Sequence, residues 1–499
     1  MRLVYRAVNA CREIMLGMSP LQSRELPFRW LPGVLALSAL AAFYLYVFTG
    51  WHGRFLPLDD AYITLHNAQV LWTGADPNYG VSALVGATSP LHLAAVALFY
   101  PLLGSGASIA VSFAGAALYL LGVERLARRL ELPLVPTLLL LLAAFGTGYA
   151  LFQLVNGLET SLVLAAVTWA IVLAQGAPSP ALPLLCGILP FIRPELAILS
   201  AALLGRQLHV RWLNREPWQA AADIALAAAA ALPWIAWTWA QTGSVLPNTA
   251  GAKAAFFAEA RLPFAFKLSQ ALRGICVGLG LMVVPLLLVR PSSLALALWG
   301  FVAVFIALFA VTFPGGLMQN YGRYTYALLP GAVWAAGSLW RSRRIVFWIV
   351  ALSALVMAPM SIFQAASVAA SGQVARSDAF GAAAWMRAHV PAGQPVLVHD
   401  AGVPSYASDA RLVDVVGLKT PSSVAEHQKL TLPSVGARRA EAVDEIARRA
   451  GARYAVILDD GAFWADIGKG LALRHWRLDL VRAPGTPLGY AVYRLTPPG

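Results

Sequence analysis

Apolar residues run in repeated blocks along most of this chain, and charges are kept to the short segments between them. Blocks of about 17 to 24 residues match the length of a helix that crosses a bilayer. They fall at residues 31–48, 107–123, 136–152, 162–173 with its flanks, 181–205 and 220–240. Two more end near Arg290 and Phe313, one ends at the basic "RSRR", and the last is 345–363. The 181–205 block is interrupted by "FIRPEL" and both flanks look cytoplasmic, so it must cross an even number of times. Pro194 disfavours helical geometry in the residue before it, which predicts two short helices meeting at Arg193, Pro194 and Glu195. The count comes to about eleven spans. A shorter apolar run, 90–103, is expected to lie along or dip into the membrane interface.

Past about Ser371 the pattern becomes that of a soluble domain. "AAAWMRAHV" and "RRAEAVDEIARRA" read as helices, while "PVLVHD", "RLVDVVGL", "YAVILDD" and "YAVYRL" read as strands. The expected fold is therefore an α-helical polytopic membrane protein with a C-terminal extracytoplasmic α/β domain. Its expected parts are a basic leader at 1–30, a multi-pass region at 31–365 with its first outer loop at 50–106, and the α/β domain at 371–499. No solenoid repeat or inverted duplication is visible, which weakens a secondary-transporter reading.

Composition adds two points. Of 499 residues, 59% are hydrophobic and 12% charged, with a net charge of +13. That excess sits in short loops such as "ERLARRLEL", "RQLHVRWLNREPW" and "RSRR", where positive charge marks cytoplasmic sides, so topology explains it better than nucleic-acid binding. The leader, with Arg2, Arg6, Arg12, Arg24 and Arg29, is expected inside, and no small-residue cleavage signature ends the first block. Cys11, Cys186 and Cys276 offer neither a disulfide framework nor metal-type spacing.

Threaded this way, the first helix delivers Asp59 and Asp60 to the outer face. Glu159, Arg193, Glu195, Lys253 and Arg323 arrive on the same side. A carboxylate near a cationic cluster suits transfer of a group from a phosphate leaving group to a hydroxyl: the carboxylate takes the hydroxyl proton, and Arg or Lys stabilises the charge on the departing phosphate. Each residue has a structural alternative. Asp59 or Asp60 is a natural N-cap for the helix that follows, on which Ala61, Leu65, Ala68 and Trp72 share one face and Asp60, Thr64 and Asn67 another. Glu159 could serve a helix dipole, Arg193 and Glu195 could be a structural pair, and Lys253 and Arg323 could be headgroup-level charges. An ionisable pair inside an apolar hairpin nevertheless reads as functional by default. His66 and His92 lack metal-ligand spacing, and "GICVGLGL" fits close helix packing better than a phosphate loop.

The segments "LDDAYITLHNAQVLWTG" and "YGVSALVGATSPLHL" resemble the first outer loop of the C-type membrane glycosyltransferases, particularly mycobacterial terminal arabinofuranosyltransferases. "NGLETSL", "FIRPEL", "SVLPNTAGAK", "YGRYTYALLP" and "HDAGVPSYASDARLVDVVGL" are similar, in order, to that group. The resemblance covers most of the chain. It implies a polyprenyl-phosphate sugar donor, transfer to a glycan, lipid or protein acceptor on the outer face of a bacterial inner membrane, and anomeric inversion. Residue by residue it implies Asp59 as general base with Asp60 orienting it or the acceptor. Arg193, Lys253 and Arg323 would hold donor phosphate, with Glu159 and Glu195 supporting. It leans toward a pentose, although "DPNYGVSA" departs from the "FNPGE"-like sequence of relatives. A divalent cation is compatible with some relatives, but no ligand spacing here demands one. The alternatives are a transporter or flippase of a lipid-linked sugar, and a non-catalytic subunit that uses the outer domain.

Overall fold

The computed structural model describes residues 30–49, 55–458, 461, 463–487 and 489–498. The basic leader and Cys11 lie outside the described residues.

Every apolar block is helical. Among the described residues, six helices are long and apolar enough to cross a membrane: Leu31–Thr49, Gly106–Arg129, Pro217–Thr242, Phe264–Leu288, Ser293–Thr312 and Arg344–His389. Leu134–Gly146, Thr160–Ala174, Ala181–Ile192, Leu196–Leu213 and Leu329–Ser342 fill the remaining blocks. Their outer surfaces carry exposed Leu45, Leu287, Ile345, Val356 and Phe363, as lipid-facing helices do. Close packing uses small residues: a Cβ on Gly187 would lie 2.2 Å from the Ala227 carbonyl, so Ala181–Ile192 and Pro217–Thr242 meet backbone to backbone. Glycines of "GICVGLGL" act likewise, with Gly274 against Leu317 and Gly278 against Thr325.

Two details differ from the expectation and one matches it. Block 136–152 breaks into Leu134–Gly146 and Ala150–Val155, because Gly148 adopts a left-handed φ of +50° between them. The two arms of 181–205 meet where expected, with Arg193 extended at φ −158°, ψ 137° ahead of Pro194. The last helix does not end near Phe363 but runs unbroken to His389. Ala365, Ala369, Gln373, Arg376, Ala379, Ala383 and Met386 continue one buried stripe at helical spacing, so the change in composition near Ser371 is not a break in structure.

That helix carries the chain into a five-stranded sheet of order β2-β1-β3-β5-β4. The strands are β1 (Val396–Val398), β2 (Leu412–Asp414), β3 (Tyr454–Leu458), β4 (Arg477–Arg482) and β5 (Tyr490–Thr496). β1 pairs parallel with β2 and β3; β5 pairs antiparallel with β3 and β4. β4 had no clear pattern in sequence: it is one of the two outer strands, carries Arg477, Asp479 and Arg482, and has no fully buried position, as suits an edge protected by charge.

The helix Asp59–Thr73 of the first loop is built into this domain. Its Ala61, Tyr62, Leu65 and Ala68 share one core with Ala379, Met386, Val398, Val403, Tyr490 and Val492. Burying Leu65, Met386, Val398, Val403 and Val492 contributes roughly 1.5–3 kcal/mol each. The sheet therefore holds the first-loop helix in a fixed rotation.

Candidate active site

Asp60 leaves that helix on the face opposite the shared core. Its Oδ2 accepts from Arg323 Nη1 at 3.0 Å and from Asn320 Nδ2 at 3.0 Å, and it lies 3.9 Å from Lys253 Nζ. Asp60, Thr64, Thr88, Glu159, Lys253 and Arg323 line one pocket. Each motif contributes a defined piece of it. In "LPNTAGAK", Pro247 precedes the helix Asn248–Phe257, and Lys253 follows Thr249 by one turn on the same face. Thr249 and Thr88 exchange a hydroxyl hydrogen bond at 2.9 Å. Asn248 ties two loops together, accepting from the Gly86 amide at 3.0 Å and donating to the Leu418 carbonyl at 2.8 Å.

The segment "GGLMQNYGR" brings in Arg323 through a strained turn. Asn320 and Tyr321 both hold left-handed φ, +47° and +61°, a conformation non-glycine residues adopt at a cost of about 1–3 kcal/mol each. Gln153 Nε2 stabilises it by donating to both carbonyls, at 2.9 and 3.1 Å, and is itself positioned by Asn156 Nδ2. "FQLVNG" thus supports Arg323 without touching it.

Behind the pocket lies a layer of buried charge. Arg193 is fully buried. Its guanidinium pairs with Glu195, stands 3.8 Å from Glu159, donates to the Arg323 carbonyl at 3.3 Å and lies over the Tyr324 ring at 4.2 Å. Arg323 is 4.0 Å from Glu159 and donates to the Tyr324 hydroxyl at 3.3 Å. Burial alone would raise the Glu159 carboxyl, but Arg323 and Arg193 hold it well below the usual carboxylate range. Burial would also raise the Tyr324 phenol, yet Arg323, Lys253 and Arg193 bring it down. Two carboxylates, Glu159 and Glu195, answer Arg193. Arg323 and Lys253 face the pocket with Asp60 and Glu159.

Of the expected site residues, Asp60, Glu159, Arg193, Glu195, Lys253 and Arg323 gather in this one place. Asp59 does not. Successive helical residues point about 100° apart, so Asp59 faces away from Asp60. Its oxygens accept from the amides of Gly402 at 2.7 Å and Val403 at 2.8 Å, with Arg376 Nη1 at 3.8 Å. Neither aspartate caps its own helix: Leu58 holds the N-cap position without a side-chain bond. Asp59 instead satisfies amides at the start of the helix Val403–Ala407. The approach is close enough to require glycine, since a Cβ on Gly402 would sit 2.0 Å from the Asp59 carbonyl. Burial and the like charge of Asp400 push the Asp59 carboxyl up to about 7, against the opposing pull of Arg376 and the two amides.

Sequence reasoning missed the residues that lock the domain onto the loop. Lys419 is buried, donates to Asn67 Oδ1 at 2.7 Å and pairs with Asp76 at 3.3 Å. Asn78 donates to the carbonyls of Ser408 and Ala410. Arg376 Nη2 donates to the Tyr490 hydroxyl at 2.7 Å, and that hydroxyl donates to Asp400. The only available signal was a lone Lys in "GLKTP" and the polar "ADPN". His66 is buried and bonded to Asn78 at 3.1 Å, while His92 is buried and lines the same pocket as Asp60. Among the described residues no three His, Cys, Asp or Glu side chains form a group that could hold a metal ion. The groups nearest Asp60 are a guanidinium, an ammonium and an amide nitrogen, all donors that suit an anion.

Comparison with solved structures places this geometry in a known fold. ArnT from Cupriavidus metallidurans bound to undecaprenyl phosphate superposes with a TM-score of 0.55 over 94% of this chain and 98% of that one, at 12% identity. The apo form of the same protein gives 0.54 at 13% identity, covering 92% and 97%. The fold is that of ArnT. It is the C-type membrane glycosyltransferase fold, and the chain is a polytopic membrane protein. Residues 367–493 match a family described as a domain of unknown function, DUF8728. No curated protein sequence matches the chain.

Proposed function

We propose that this protein is an inverting glycosyltransferase that moves a sugar from a polyprenyl-phosphate donor to an acceptor hydroxyl. The observation that carries the reading is Asp60 held with Arg323 at 3.0 Å and Lys253 at 3.9 Å at the mouth of one pocket. Arg323 and Lys253 both line this pocket, and two converging cations suit a phosphate. ArnT, whose fold this chain shares, binds undecaprenyl phosphate. Phosphate would compete with Asp60 for both cations and free the carboxylate oxygen now held by Arg323. Asp60 would then take the acceptor proton as the acceptor oxygen attacks the anomeric carbon opposite the departing phosphate. The sugar–phosphate bond breaks with inversion, and Arg323 and Lys253 stabilise the released phosphate.

This reading moves the base from Asp59 to Asp60 and reassigns two residues. Asp59 becomes the anchor of the C-terminal domain, because both its oxygens are occupied by amides of that domain. Arg193, fully buried and paired with Glu195, orients Arg323 rather than touching phosphate, and Glu159 shares that role.

We also propose that the site faces the non-cytosolic side of a bacterial inner membrane, with the α/β domain on that same outer side and the N-terminus inside. In support, the basic ends "ERLARRLEL" and "RSRR" meet through Arg341 and Glu131, and Gly33 of the first helix lies against Glu124, so these termini share one side. The helix Pro90–Leu103 leaves Leu98, Phe99, Leu102 and Leu103 exposed, an apolar face suited to guide a prenyl chain. A pentose is the favoured sugar, on the sequence resemblance. Mass spectrometry of envelope glycans with and without the gene tests it: loss of a terminal pentose is expected, and an unchanged glycan profile contradicts the reading. Native mass spectrometry with undecaprenyl phosphate tests the donor site. Lys253→Ala and Arg323→Gln are each expected to weaken binding about tenfold or more; wild-type affinity in both contradicts the assignment.

A further inference from the structure

The helix that carries Lys253, Asn248–Phe257, packs on the C-terminal domain. Its Ala252 and Phe256, four residues apart and so on one face, are buried in a core with Leu397, Val415, Ile446 and Ile457 of that domain. Phe256 also meets the His427 ring edge-on at 5.0 Å and stacks with Trp464 at 5.9 Å between ring centroids. Lys253 follows Ala252 by one residue, about 100° further round the helix, and so lines the pocket while its neighbour is in the domain core.

Both ends of this helix are tied to the same domain. At its start Asn248 donates to the Leu418 carbonyl at 2.8 Å. At its end the chain leaves through Ala258, a non-glycine residue at a left-handed φ of +60°. The last carbonyls of a helix lack partners within it. That of Ala254 takes the Ala258 amide, and that of Phe256 accepts from Arg439 Nε at 3.0 Å. The Arg439 guanidinium also lies over the Phe256 ring at 5.1 Å and the Phe463 ring at 4.9 Å. A cation placed there suits the negative end of the helix dipole. Arg439 opens the domain's helix Arg439–Ala450 and is not among the residues that line the pocket. The same helix end also reaches toward the second cation. Phe257 stacks on Phe313 at 5.1 Å, and Glu259 accepts from the Gly315 amide at 2.6 Å, at the start of the segment that leads to Arg323.

We propose that the C-terminal domain takes part in donor binding, with Arg439 as a positioning residue: by capping the helix Asn248–Phe257 it fixes where Lys253 meets the donor phosphate. The proposal rests on the glycosyltransferase reading, because it concerns that reaction's donor cation. Lys253 stands three residues, less than one turn, before Phe256. Without the cap the last turn frays, and the Lys253 side chain and its backbone must be ordered again each time phosphate binds. The domain thus acts on the donor through a helix end rather than by touching it.

The test is a double-mutant cycle on undecaprenyl phosphate binding, read by native mass spectrometry of the full-length protein. This readout compares bound with free folded protein, so a smaller folded fraction leaves it unchanged. Arg439→Ala is expected to weaken binding about fivefold, and Arg439→Lys, which keeps a cation at the helix end, to weaken it less. In a Lys253→Ala background Arg439→Ala is expected to cost nothing further, because the group it positions is gone. Wild-type affinity in Arg439→Ala, an equal loss in both backgrounds, or a loss in Arg439→Lys as large as in Arg439→Ala overturns the proposal. Wild-type affinity in both Lys253→Ala and Arg323→Gln removes the donor-site reading and the proposal with it. Weakened binding in those two beside an unaffected Arg439→Ala removes the proposal alone.

Discussion

Asp59 and Asp60 are adjacent in sequence, yet the fold gives one to the domain interface and the other to the pocket. Asp59 raises the more unusual expectation. Its carboxyl is held up at about 7 against an ordinary value of 3.8. Between those values the folded chain binds a proton the unfolded chain has released. Asp59's contribution to stability is thus fully present below the ordinary value and is lost as pH rises through about 7. Asp59→Asn also leaves one of the Gly402 and Val403 amides without its acceptor, costing about 1–3 kcal/mol. Thermal melts at about pH 5 and 8 should show wild type losing more stability than Asp59→Asn over that range; parallel losses contradict the assignment. Arg193 is the other residue with a purely internal task. Removing it in Arg193→Ala strands Glu195 and Glu159 and is expected to cost about 3–5 kcal/mol, a loss read as a lower unfolding temperature. Arg193→Ala with wild-type stability but lost donor binding would return it to the phosphate. Sequence could identify the acidic pair but not divide its labour, because both residues lie in the first turn and only tertiary packing decides which faces what.

At the scale of elements, the membrane helices were legible because a span must satisfy its own backbone and show an apolar surface over a fixed length. The parallel core strands β1, β2 and β3 were legible for a related reason, being short apolar runs between turns. What escaped was whatever did not follow burial: β4, an edge strand with charged side chains, and the continuation of the last helix to His389, whose buried stripe is mostly alanine. The turn at Asn320 and Tyr321 was also invisible, since its left-handed backbone depends on Gln153, 167 residues away from Asn320. Gln153→Ala should relax that turn and lower activity while leaving the membrane helices intact. Circular dichroism with a donor titration checks it, and unchanged donor affinity would show that the turn does not set Arg323. Gly402→Ala should be more damaging, because its Cβ would meet the Asp59 backbone at 2.0 Å and force loop and domain apart.

Across the whole molecule, the first loop and the C-terminal domain form one body. They share a core from Ala61 to Val492 and are pinned by Asp59 to Gly402 and by Lys419 to Asn67 and Asp76. The pocket that Asp60 lines lies where this body meets the membrane helices, with Asp60 from the body and Arg323 from a loop between helices. Lys419→Met should therefore raise amide exchange in residues 59–73 and 412–420 together, and an increase confined to one segment would contradict a single unit. The central claim, that Asp60 is the reacting carboxylate, is tested most directly by transfer from an undecaprenyl-phosphate sugar using purified Asp60→Asn and Asp59→Asn side by side. Asp60→Asn is expected to stay folded and lose transfer by about 10²–10⁴-fold, while Asp59→Asn retains turnover in proportion to its folded fraction. A folded Asp59→Asn that is inactive, beside an active Asp60→Asn, would contradict the account.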